Sequence, residues 1–143
     1  MDFIFPNLSY QTDLVPKARL HAQKHNCFFM PVGFKFPQFS EHLIDIMRKM
    51  DITPSEVWLA AGSGCLANAA KMSWPKAKIN AVSLGFKHIE LLPDIIKHEV
   101  MEKPYQEADK PPPFKSAKYY DAKIWRVVEE HAKPDALIWN TAG

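Results

Sequence analysis

Residues 56–85 constrain this chain more than any other stretch. Glu56-Val57-Trp58-Leu59-Ala60-Ala61 is an apolar run of strand length with Val and Trp at its centre, and Gly62-Ser63-Gly64 breaks it. Residues 65–74 then read as a helix with Leu66, Ala69, Ala70 and Ser73 or Trp74 on one face, stopped by Pro75. A second apolar run over 78–84 ends at Gly85. Strand, glycine loop, helix and strand make a βαβ unit, which requires parallel strands and a right-handed crossover. Neither strand alternates polar with apolar residues, so both faces are expected to be buried.

The loop of such a unit is where an anion binds, because the helix N-terminus offers unpaired N–H groups and the positive end of its dipole. Gly-Ser-Gly is not the full dinucleotide fingerprint. Ala67 stands where its third glycine belongs, no acidic residue closes the second strand, and the Walker pattern is absent. A plain tight turn between strand and helix accounts for the same residues.

Composition narrows the class. With 143 residues and 47% apolar content, one domain with an adequate core is expected. A net charge of +2 gives no electrostatic case for nucleic acid. No apolar run approaches the ~20 residues of a membrane span, and the N-terminus lacks the basic and apolar regions of a signal peptide. Cys27 and Cys65 make no disulfide framework and no metal spacing, which fits a reducing cytoplasm.

Elsewhere the pattern predicts a helix over 13–25 capped by Asp13, with Pro16 in its first turn, and a second helix over 37–50. The run 27–34, interrupted by Pro31, is a short buried or edge strand at best. Thr53-Pro54-Ser55-Glu56 has the form of a capping box but reads as a turn feeding the strand at Glu56. Pro93 and Asp94 open a short helix through Ile95, Ile96 and Glu99. The proline-rich stretch 103–118 is an extended loop. Residues 120–132 form a helix with Ile124, Val127, Val128, His131 and Ala132 on its apolar stripe, and 136–139 form a final strand. The expected architecture is α/β, a Rossmann-like three-layer αβα single domain with a short parallel sheet.

Three separated stretches carry a resemblance. They are Met30-Pro31-Val32-Gly33-Phe34, Glu56 to Gly64, and Tyr119-Tyr120-Asp121-Ala122-Lys123 together with Leu137-Ile138-Trp139-Asn140-Thr141-Ala142-Gly143. In this order they resemble the later half of fold-type II pyridoxal-phosphate enzymes, in the branch of aminocyclopropane-carboxylate deaminase and D-cysteine desulfhydrase. The resemblance implies a cofactor phosphate against the backbone of Gly62, Ser63, Gly64 and Cys65. It implies Asp121 at the pyridine nitrogen, Tyr120 beside the substrate, and Asn140 and Thr141 at the ligand end of the last strand. On residues alone, Tyr120-Asp121 is equally a helix start, and Asn140-Thr141 equally a polar strand end.

The family's Schiff-base lysine precedes the part this chain matches. Lys17 and Lys71 lie in no matching context, and the remaining lysines read mostly as solvated surface. The chain is therefore expected to lack the group that performs covalent chemistry in this class. Three readings follow: a lyase- or deaminase-like domain needing a complementary polypeptide, a non-catalytic module for a nucleotide or other small phosphorylated ligand, or an interaction protein that keeps only the fold. Phe3, Phe5, Tyr10, Phe28, Phe29, Phe34 and Phe36 suggest apolar surface for a partner or homo-oligomer. His21 and His25, one helical turn apart, lack a third metal ligand. Cys65 at a helix start reads as a small hydrophobe or an activated thiol, and Ser63 lacks the full nucleophile-elbow glycines.

Overall fold

In the computed structural model, which describes residues 11–86 and 89–141, strand β1 (Glu56–Ala61) is buried along its whole length. Helix α3 (Cys65–Ser73) connects it to strand β2 (Lys78–Ser83). The two strands pair in parallel, with Val57 opposite Ile79 and Leu59 opposite Ala81. Strands β3 (Ile96–Glu99) and β4 (Leu137–Trp139) complete a four-stranded, all-parallel sheet in the order β3-β2-β1-β4. The fold is α/β, and Rossmann-like in the sense that helices cover both faces of a parallel sheet.

Alternate residues of β1 and β2 divide between two cores. Val57, Leu59, Ala61, Ile79 and Ala81 face Ala67, Ala69, Ala70 and Trp74 of the α3 region, with Ile44 and Met47 of helix α2 (Pro37–Lys49) behind them. The alanines let α3 approach the sheet closely. On the opposite face Trp58, Ala60, Val82 and Leu84 pack against Ile124 and Val128. These last two belong to a 3-10 turn, Asp121–Ile124, and to helix α4 (Trp125–His131).

The chain divides into two compact units, one ending at Pro31 and one beginning at Val32. The sheet and helices α2 to α4 lie in the second. The first contains α1 (Gln11–Lys24), in which the His21 and His25 rings lie 4.3 Å apart and the Arg19 guanidinium sits 5.1 Å from the Phe29 ring centre.

Several expectations need correction. Residues 93–99 hold no helix: Asp94 adopts a left-handed φ of 65°, and the next residues extend along the open edge of β2 as β3. β-Branched Ile95 and Ile96 suit that extended course. The run 27–34 holds no strand, because Pro31 cannot donate to a ladder and Gly33 turns the chain at a φ of 71°. Helix α1 begins earlier than Asp13, which moves Pro16 beyond the first turn. The helix expected over 120–132 opens as the tighter 3-10 turn. The turn before Glu56 and the extended stretch 103–118 lie where expected, without helix or strand. Phe28 and Phe34 are exposed and Phe29 and Phe36 half-buried, while Phe3, Phe5 and Tyr10 lie outside the described residues. No helix among the described residues is long and apolar enough to cross a membrane.

Candidate functional site

The strand order fixes where a ligand is expected. From β1 the chain moves through β2 to β3 at one edge, then returns to place β4 on the other side of β1. The crossover from β1 to β2 packs on one face, and the segment leading into β4 packs on the other. The direction of winding therefore reverses between β1 and β4. In open parallel sheets, ligands bind outside the carboxyl ends of the strands at that reversal. Gly62 follows β1 and Asn140 follows β4, so two of the sequence-derived groups meet there.

The glycine loop is closely packed. Gly64 precedes α3 at a φ of 90°, a conformation that suits glycine, and itself offers no side chain to cap the helix. The Ser63 hydroxyl donates to the Gly33 carbonyl at 3.0 Å and accepts from the Cys65 N–H at 3.4 Å. A Cβ on Gly33 would fall 2.3 Å from Cβ of Ser63, one on Gly62 2.8 Å from the Tyr120 hydroxyl, and one on Gly64 2.5 Å from the Glu90 carbonyl oxygen. Gly62-Ser63-Gly64 thus meets a close neighbour at each residue: Tyr120, Gly33 and Glu90.

Those neighbours are themselves held. Asn68 on α3 donates to the Glu90 carbonyl at 2.9 Å and accepts from the Leu92 N–H at 2.9 Å, pinning 90–92 over the loop. The Lys35 ammonium lies 3.4 Å from the Glu90 carboxylate. The Tyr120 hydroxyl stands beside Gly62; burial and the neighbouring Asp121 charge push its phenol pKa up, against the lowering effect of the Gly62 N–H. The phenol therefore keeps its proton at neutral pH and retains an O–H to donate.

The second group gathers at the end of β4. Asp121 is buried and lines a small cavity with Asn140, Phe114, Ser116, Trp125 and Trp139. Asn140 donates to the Lys115 carbonyl at 2.8 Å and accepts from the Ser116 hydroxyl at 2.9 Å, so it ties the proline-rich stretch across the strand end. Thr141 is exposed and Cys65 half-buried. Consecutive Tyr120 and Asp121 link the two groups, with Tyr120 at the loop and Asp121 beside Asn140.

This arrangement suits a phosphate better than a whole pyridoxal phosphate. Backbone N–H groups at the start of α3 and the Tyr120 O–H are phosphate donors. The cavity beside Asp121 and Asn140 has a volume of only about 10 Å³. That is room for one water at most, not for a pyridine ring.

The sequence pattern missed Lys35, Asn68 and Glu90, whose role depends on where the loops fall. It also missed Lys123, a 1% exposed exception to the expectation that the remaining lysines are surface groups. Its ammonium donates to the carbonyls of Lys103 and Pro104 at 2.9 and 3.1 Å, and burial pushes its pKa down despite the Glu102 charge. Lys17 is exposed on α1, and the Lys71 ammonium donates to the Pro75 carbonyl at 3.2 Å. Among the described residues no cluster of three or more His, Cys, Asp or Glu is placed to hold a metal. Compared with protein-family models, curated proteins and solved structures, the chain matches none.

Proposed function

We propose that this chain binds a small phosphorylated ligand at the carboxyl ends of β1 and β4, without covalent chemistry of its own. The observation that carries the reading is the reversal of winding between these two strands, with Gly62-Ser63-Gly64 at one strand end and Asn140 at the other. The phosphate lies against the backbone N–H groups opening α3, where the helix dipole favours an anion. Ser63 and Tyr120 add hydroxyl donors, Ser63 by exchanging its bond to the Gly33 carbonyl for one to the ligand. Lys35, paired with Glu90 near the loop, supplies a cation. The rest of the ligand extends outward toward exposed Thr141.

A pyridoxal-phosphate-dependent lyase or deaminase completed by a partner polypeptide is the second reading. One observation favours it: the chain runs directly from Tyr120 at the phosphate loop to buried Asp121 beside Asn140. It requires the stretch around Phe114 and Ser116 to leave the end of β4, and an amine from elsewhere.

Calorimetric titration with inorganic phosphate and with pyridoxal phosphate tests the proposal, with absorbance recorded in parallel. Saturable binding is expected, and bound pyridoxal phosphate should show the spectrum of its free aldehyde or hydrate. Tyr120→Phe should weaken phosphate binding by about fivefold, the worth of one hydrogen bond of ~1 kcal/mol. No saturable binding of either compound overturns the proposal. An aldimine band that disappears on replacing one lysine would refute the absence of covalent chemistry.

A further inference from the structure

A second concavity lies on the α4 side of the sheet, between edge strand β3 and helix α4. Its volume is about 260 Å³, and its lining includes His98, Glu102, Lys123, Arg126, Glu130 and His131. Val100 and Val127 supply apolar wall. It is smaller than the ~300–1,000 Å³ of pockets that take drug-sized ligands, which sets its occupant at a few heavy atoms.

His98 is held there in a defined state. Asn80 is fully buried on β2, and its amide nitrogen donates to the Val57 carbonyl at 3.4 Å. That leaves the amide oxygen to face His98 Nε2, 3.0 Å away. An oxygen there can only accept, so Nε2 carries the proton and Nδ1 of the neutral ring is the acceptor. Among the described residues no hydrogen bond to Nδ1 is found. The ring is braced by Trp58, with centroids 4.7 Å apart, and by His131 at 6.2 Å. Burial, His131 and Lys78 hold the imidazole pKa down, against the Glu56 charge, and keep the ring neutral at pH 7.

The donors and acceptors of the cleft are unequally used. Lys123 spends its ammonium on two backbone carbonyls, and Arg126 is paired with Asp109. On the acceptor side, among the described residues Glu102 accepts the Asp109 N–H through Oε1 and feels the Lys123 charge, while Glu130 meets His131 at 3.8 Å. The cations of the lining are thus engaged with other partners, while its carboxylates keep oxygens able to accept further hydrogen bonds. We propose that it binds a small organic ammonium ion, whose N–H groups donate to His98 Nδ1 and to the carboxylates of Glu102 and Glu130, with its carbon chain against Val100 and Val127.

The test is a nuclear magnetic resonance titration of the full chain, followed at the histidine side-chain nitrogens. Ethanolammonium chloride is the probe and sodium acetate at equal ionic strength the charge-inverted control. In the free protein His98 is expected to show a protonated Nε2 and an unprotonated Nδ1; the opposite tautomer overturns the proposal. Ethanolammonium should shift the Nδ1 resonance saturably, and acetate should not. His98→Phe keeps a ring against Trp58 but removes the acceptor, and Glu130→Gln changes an exposed residue that leaves the core intact. Each should weaken binding about tenfold or more, the worth of a hydrogen bond to a charged group. No saturable shift, equal binding of acetate, or unchanged affinity in Glu130→Gln overturns the proposal, whether or not His98→Phe folds.

Discussion

Trp58 and Glu56 form the most consequential buried pair in the sheet, and removing either reports on both. Trp58 is fully buried, and its indole N–H donates to Oε1 of Glu56 at 2.7 Å. Glu56 is 1% exposed; the same oxygen also accepts from the Lys133 N–H at 3.1 Å, and the Lys78 ammonium stands 3.8 Å from Oε2. Trp58→Ala should cost about 3–5 kcal/mol for the lost ring and cavity. A further ~1–3 kcal/mol follows from stripping a donor from a buried carboxylate. Together these approach the whole stability of a domain, about 5–15 kcal/mol. Trp58→Phe separates the contributions, because it retains most of the ring and loses the donor.

A double-mutant cycle of Trp58→Phe with Glu56→Met, measured by urea unfolding at pH 7, should give a coupling of about 1.5–3 kcal/mol. The pH dependence carries a sign. Burial pushes the Glu56 carboxyl pKa up, but the Trp58 and Lys133 hydrogen bonds and the Lys78 and Lys133 charges outweigh it, so the folded value lies below the ordinary 4.5. The carboxylate's contribution is therefore present above pH 4.5 and is lost as pH falls through the lower folded value. The gap between parent and Trp58→Phe should narrow over that range. A loss below about 1 kcal/mol in Trp58→Ala, or no coupling in the cycle, would refute the reasoning.

Two further predictions follow from the packing. Gly33→Ala should destabilise by about 2–4 kcal/mol, because its Cβ would fall 2.3 Å from Ser63 Cβ at a left-handed φ of 71°; a urea midpoint equal to the parent's would contradict this. For Lys123, whose folded pKa lies below the ordinary 10.5, the unfolded chain binds more protons between the two values, so stability should rise with pH across that interval. Lys123→Met should abolish this alkaline rise in melting temperature, and an unchanged pH profile would count against a buried ammonium.

The βαβ unit was readable because its chemistry is local: an apolar run, a glycine break, an alanine-rich helix and a second apolar run admit few alternatives. β3 was not readable, since Ile96-Lys97-His98-Glu99 has no apolar periodicity and becomes a strand only because β2 leaves an edge open beside it. The site divides in the same way. Gly62, Ser63 and Gly64 announced a close approach, but the chain supplies much of what approaches: the Gly33 carbonyl, the Glu90 carbonyl and the Tyr120 hydroxyl. A Gly64→Val substitution is thus no clean probe of ligand binding, because its side chain meets the Glu90 carbonyl with or without a phosphate. Asn80 and His98 lie 18 residues apart in sequence, and only the parallel register of β2 and β3 makes them partners.

The central claim is that the turn between β1 and α3 is an anion site. Its most direct test is a backbone amide titration of the full chain with inorganic phosphate at constant ionic strength. Saturable shifts confined to residues 62–67 and Tyr120, reduced in Tyr120→Phe, are the predicted result. Amides of 62–67 that stay unmoved while phosphate reaches saturating concentrations, or shifts scattered over surface lysines without saturation, would contradict it.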